Sequence, residues 1–135
     1  MCRSAAPAPI GDGTELTIVT YGNGLHMSLR VARRLDRAQI STRIVDMRWL
    51  APLPIQDIVR EANATGRVLV VDETRSSGGV AEGVVTALVD EGFTGPLARV
   101  ASEDSFISLG DAALEVLLSE DTIEAAAIKL TQVRR

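Results

Sequence analysis

Aromatic residues supply only 3% of this 135-residue chain, as Tyr21, Trp49, Phe93 and Phe106. That scarcity removes the stacking platforms on which base or sugar recognition relies. A formal net charge of −4 likewise argues against a binder of phosphate backbones, which needs a basic stripe. The single cysteine, Cys2, excludes a disulfide framework or a zinc cluster within one chain. No apolar run approaches the length of a membrane span. Residues 1–9 lack the apolar core of a signal peptide, so the sequence reads as cytoplasmic.

What remains is ordinary for a globular domain: 46% hydrophobic and 24% charged residues, enough for one core and too short for two. The Ala-Pro alternation near the start reads as linker, so residues 1–13 are expected to be disordered or linker-like and 14–135 to form the domain. From Leu16 the pattern alternates. Leu16–Thr20 reads as a short strand. Leu25, Leu29, Ala32 and Leu35 then recur at helical spacing, with Arg30, Arg33 and Arg34 facing away. Thr42–Asp46 is a second strand. Pro54 sits where a helix can begin without its N–H, ahead of Ile55, Ile58, Val59 and Ala62. Arg67–Val71 is a third strand, apolar on both faces as parallel strands are. Gly78-Gly79 opens a helix bearing Val80, Val84, Val85 and Leu88, and Leu97–Ala101 is a fourth strand. The tail holds one or two more helices, with Asp121 and Glu124 as a capping box. Strands alternating with helices predict an α/β domain, a mostly parallel sheet covered on both faces.

Three places could carry chemistry. Gly22-Asn23-Gly24 lies between a strand and a helix, and Asp46 ends the next strand, a partial dinucleotide fingerprint. It fails at the third glycine, where Met27 stands, so a plain tight turn is the stronger reading. His26 is the only histidine and could serve in acid–base chemistry. No serine or cysteine stands in a nucleophile elbow beside it, which leaves a structural or interface role. In Asp72-Glu73-Thr74-Arg75-Ser76-Ser77-Gly78-Gly79, glycines precede a helix N-terminus and Arg75 is near, a possible anion site. The two acids would repel a phosphate, so a turn or an interface is favoured. Asp46 and Arg48 close a strand, and Arg48 is expected to turn back onto Asp46 or Asp72, in a partly buried pair, or onto backbone carbonyls.

The order of segments adds a family. Leu16 to His26, then Val45-Asp-Met-Arg-Trp-Leu-Ala-Pro-Leu-Pro54, then Val70-Val-Asp-Glu73 with Ser77-Gly-Gly-Val-Ala-Glu82 resemble the carboxyl-terminal domain of the transketolase superfamily. The likeness is strongest to the β subunit of the decarboxylating component of 2-oxo acid dehydrogenases, of pyruvate or branched-chain type. Glu103-Asp-Ser-Phe-Ile107 falls where that family has an Asp-Thr-Pro-like turn, with Ser105 and Phe106 in place of Thr-Pro.

The resemblance implies a three-layer α/β/α fold and an assembly and docking role. In such enzymes thiamine diphosphate and magnesium are held by other domains, so no catalytic, cofactor-binding or metal-binding residue is assigned here. The implied partners are thiamine-binding domains or an α subunit, a lipoyl acyltransferase core and a second copy of the domain. Nucleic acid and membrane are not among them. His26, Asp46, Arg48, Glu73, Arg75, Gly78 and Gly79 are the expected interface or structural residues. A free-standing α/β interaction module without enzyme activity is the alternative.

Overall fold

The computed structural model describes residues 7–134; Cys2 and residues 1–6 of the expected linker lie outside them. Strands β1 (Ala8–Ile10), β2 (Leu16–Thr20), β3 (Thr42–Asp46), β4 (Val68–Arg75) and β5 (Leu97–Ser102) form one sheet in the order β1-β3-β2-β4-β5. β2, β3, β4 and β5 run parallel, and β1 pairs antiparallel with β3. Helices α1 (Asn23–Arg37), α2 (Ile55–Thr65) and α3 (Val80–Asp90) connect the strands. A 3₁₀ turn (Gly110–Ala112), α4 (Ala113–Val116) and α5 (Glu120–Thr131) follow β5.

Side chains alternate across a strand, and here they feed two cores. Leu16, Ile18, Ile44, Leu69, Val71 and Val100 point to the face covered by α1 and α5, where Met27, Val31, Leu35, Ile123 and Ala127 meet them. Val19, Val45, Val68 and Val70 point to the other face, against Ile58, Ala62, Ala81, Val84 and Leu88 of α2 and α3. This is the expected three-layer arrangement.

Five expectations need correction. Within the segment read as linker, Ala8–Ile10 form β1, using the free edge of β3. β4 extends past Val71 to Arg75, so Asp72 to Arg75 belong to the strand and the loop shrinks to Ser76–Gly79. The fully buried stripe of α1 is Gly24, Met27, Ser28, Val31 and Leu35; Leu25, Leu29 and Ala32 pack at its margin. Arg30 and Arg34 do not simply face solvent, because α5 lies beside them: Arg34 pairs with Glu120, Asp121 and Glu124 at 2.9–3.2 Å, and Arg30 with Glu120.

The last correction concerns the cap of α5. Asp121 and Glu124 spend their carboxylates on Arg34. Ser119, extended at φ −122° and ψ 153°, caps the helix, its Oγ accepting the Thr122 N–H at 3.2 Å. Ser119→Ala should therefore cost about 1 kcal/mol of unfolding free energy, and Asp121→Ala should cost less. Urea denaturation of both variants checks the ranking.

Candidate interface at the carboxyl-end rim

Two helices that start at this rim have glycine at the N-cap: Gly22 before α1 and Gly79 before α3. Glycine offers no side-chain oxygen to the free N–H groups of a first turn. β4 supplies both oxygens. Its alternation turns Asp72 toward α3 and the next residue, Glu73, toward α1. An Asp72 Oδ2 accepts the Ala81 N–H at 2.7 Å, and Glu73 Oε2 accepts the Asn23 N–H at 3.1 Å. The glycines make room for this. A Cβ at Gly22 would stand 2.3 Å from Glu73 Oε1, and one at Gly79 2.8 Å from Asp72 Oδ2 and 2.6 Å from the Arg75 carbonyl. Gly22 also takes φ +56°, a region that favours glycine.

Asp72 is fully buried. Its Oδ1 accepts the Tyr21 hydroxyl at 2.6 Å, the Thr74 N–H at 2.8 Å and the Thr74 hydroxyl at 2.7 Å. Burial works to raise this carboxyl, but the hydrogen bonds from Tyr21, Thr74 and Ala81 prevail and hold it below its ordinary range. Burial and the bond to Asp72 push Tyr21 the other way, up to about 12.

Both anion-binding possibilities close for the same reason. The helix N-termini behind Gly22-Asn23-Gly24 and Gly78-Gly79 already hold a carboxylate of the chain itself. A diphosphate at either would meet a negative charge instead of free N–H groups. Among the described residues no group of three His, Cys, Asp or Glu could hold a metal ion. These residues do not fit thiamine diphosphate with magnesium.

Glu73 reaches the start of α1, and Arg75, Gly78 and Gly79 follow it at the end of β4 and in the loop before α3. His26 lies in the first turn of α1, exposed and without a hydrogen bond or ion pair to the described residues. Arg75 is exposed at the end of β4. Gly78, at φ +70°, has open space around it. Ser77 donates its N–H at 2.8 Å and its hydroxyl to Asp104. Those two bonds, with Arg75 nearby, hold the Asp104 carboxyl below its ordinary range. Arg75, Ser77, Gly78, Asp104, Ser105 and Phe106 line an open cavity of about 670 Å³.

Asp46 and Arg48 are elsewhere: β2 separates β3 from β4. Arg48 Nε contacts Asp46 Oδ2 at 3.3 Å with the arginine half exposed, and Asp72 is occupied by other partners. The pair anticipated for Arg48 forms with Asp46, whose carboxylate is mostly buried while the arginine is half exposed.

Two features escaped the sequence reading. One is the double cap. Its trace was visible, as consecutive acids at a strand end with helices opened by glycine. The other is a run of exposed apolar side chains after β5: Phe106 (97% exposed), Ile107 (68%), Leu109 (98%), Leu114 (72%) and Leu117 (36%).

The model of the transketolase C-terminal domain family matches residues 8–128. The chain belongs to that family. It is similar to the pyruvate dehydrogenase E1 component subunit beta of Bacillus subtilis, 36% identical over 104 residues, covering 75% of this chain and 32% of that one. It is also similar to the 2-oxoisovalerate dehydrogenase subunit beta of the same organism, 31% identical over 127 residues, covering 90% and 38%. The chain thus spans about a third of the length of these relatives. A solved split-gene transketolase, described as an inactive beta4 tetramer, superposes with a TM-score of 0.85 at 29% identity, covering 99% of this chain and 44% of that one. A 2-oxoglutarate:ferredoxin oxidoreductase from Magnetococcus marinus shares the fold at a TM-score of 0.66 and 14% identity. No helix of the described residues is long and apolar enough to cross a membrane.

Asp72→Ala should lower stability by on the order of 3 kcal/mol, because it strands the Tyr21 hydroxyl and the Thr74 and Ala81 N–H groups. Tyr21 is the only tyrosine, so its phenolate absorbance reads the site directly. The titration near 12 should fall toward the ordinary tyrosine value in the variant. A carboxyl held low in the folded state stabilises it above the ordinary carboxylate range. That contribution is lost as pH falls through the folded value, so Asp72→Asn should flatten the acid limb of a stability–pH curve. Arg48→Ala should cost no more than about 0.5 kcal/mol, measured by the same denaturation.

Proposed function

We propose that this chain is the assembly and docking domain of a 2-oxo acid dehydrogenase of the pyruvate or branched-chain kind, and that it is not catalytic by itself. The observation that carries the reading is its likeness to two dehydrogenase β subunits over most of its own length and about a third of theirs. The oxidative decarboxylation of a 2-oxo acid would then belong to the whole enzyme. Thiamine diphosphate and magnesium would sit in the remaining domains or an α subunit. The filled helix N-termini support that division, since each stabilises the domain while leaving no donor set for a diphosphate.

The rim around His26, Glu73, Arg75, Gly78 and Gly79 is the proposed contact with those domains. Charges of both signs beside a helix start suit polar pairing with a protein surface. A lipoyl acyltransferase core is a further proposed partner.

Two measurements test this. Calorimetric titration of the isolated chain with thiamine diphosphate and magnesium should give no binding heat; saturable binding would overturn the assignment. Arg75→Glu should weaken pull-down by the thiamine-binding domains while leaving the chain's melting temperature nearly unchanged. Full assembly by that variant would remove the rim from the interface.

A further inference from the structure

A second cavity, of about 380 Å³, lies between the ends of β4 and β5 and the segment that follows β5. It shares Arg75 and Ser105 with the cavity described above. Two contacts close the neck of that segment and fix the cavity's walls. The Ser102 hydroxyl accepts the Leu118 N–H at 3.0 Å, and the Glu103 N–H reaches the Val116 carbonyl at 2.8 Å. Arg75 and Ser102 are register partners, so Arg75 and Glu103 stand on neighbouring strand ends.

Most polar side chains in this wall are already spent within the chain. Glu73 accepts the Asn23 N–H, and the Thr74 hydroxyl donates to Asp72. The Ser102 hydroxyl donates to the Glu73 carbonyl at 3.1 Å besides accepting from Leu118, and the Ser105 hydroxyl donates to the Phe106 carbonyl. Two groups are left, of opposite sign. The Arg75 guanidinium and the Glu103 carboxylate form no side-chain hydrogen bond or ion pair among the described residues, not even with each other. Arg75 acts on Asp104 only through its field. The rest of the wall is aliphatic: Ile107, Val116 and Leu117.

We infer that this cavity binds a small aliphatic amino acid as its zwitterion. Arg75 takes the carboxylate, Glu103 takes the ammonium, and the side chain lies against Ile107, Val116 and Leu117. The leftover charges select this class. A simple carboxylate would answer Arg75 but meet the negative charges of Glu103 and Glu73. A simple amine would leave Arg75 unanswered. A molecule with both charges on neighbouring atoms satisfies both groups at once. Its aliphatic body covers Ile107 and Leu117, which are otherwise open to water. Because the neck contacts hold the walls in place, binding costs little ordering.

The site needs no partner domain and does not rest on the assembly reading, so the isolated chain carries the test. An amide NMR titration of the 135-residue chain with L-leucine should give saturable shifts around Arg75, Glu103, Ile107 and Val116. The dissociation constant should be on the order of a millimolar, as for a small ligand on exposed charges. Isocaproate, which lacks the ammonium, isoamylamine, which lacks the carboxylate, and glycine, which lacks the aliphatic body, should each bind at least about tenfold more weakly. Arg75→Gln and Glu103→Gln should weaken leucine binding by a similar factor with an unchanged circular-dichroism melt. Leu109→Asp, on the same segment but outside the cavity, should bind as the wild type does. Absence of saturable shifts overturns the inference, as does isocaproate binding as tightly as leucine, or leucine binding indifferent to both glutamine variants. Capture by the thiamine-binding domains decides the assembly reading separately.

Discussion

At the carboxyl end of β4, two consecutive carboxylates leave opposite faces of the sheet and each closes the start of a different helix. The arrangement follows from strand geometry. Neighbouring side chains in a strand point to opposite sides, so one strand end can serve α3 through Asp72 and α1 through Glu73. Each carboxylate stands at the positive end of a helix dipole and accepts an N–H that the glycine N-cap leaves free. Gly22 and Gly79 are then required by space, since a methyl group at either would collide with the carboxylate or the backbone around it. The two helices that flank the central strands are thereby registered against one strand, and the sheet's two faces are tied together at a single edge.

Asp72 is the more demanding of the two. A buried carboxylate is tolerated only where its lone pairs are met, and here Tyr21, Thr74 and Ala81 meet them. Tyr21 follows β2 and Asp72 lies in β4, so the bond also bridges adjacent strands beyond the end of their ladder. The same carboxylates decide what the rim can do. A surface whose helix N-termini are filled from within has little left for a free anion. What it presents outward is Arg75, Ser77, Asp104 and the apolar crest after β5, a combination suited to another protein.

Strand and helix placement was largely legible because hydrophobic periodicity is local. Leu16–Thr20 and Thr42–Asp46 stand as read, and β5 ends one residue later than expected. What misled was also local. Ala8–Ile10 looks like linker in composition, yet it pairs with the open edge of β3, a partner invisible in the segment itself. Asp121 and Glu124 have capping-box spacing, but Arg34 on α1 claims them and the cap passes to Ser119. Arg48 had two possible carboxylates in the sequence; the strand order leaves it only Asp46, with the arginine half exposed.

By itself the sequence determined the α/β class, the two-faced burial of its strands, and membership of a family through segments in order. All three are carried by residues within one element or by their succession along the chain. The tertiary structure alone decided that Asp72 and Glu73 serve two different helices. It also placed Arg75 beside Asp104 and left Phe106, Ile107 and Leu109 outside the core. The physical reason is distance along the chain. Tyr21 and Asp72, or Glu73 and Asn23, are about fifty positions apart, and only the parallel packing of β2 against β4 brings them within a hydrogen bond. An apolar residue carries no mark of whether a core or a partner will cover it until the fold has used up its interior.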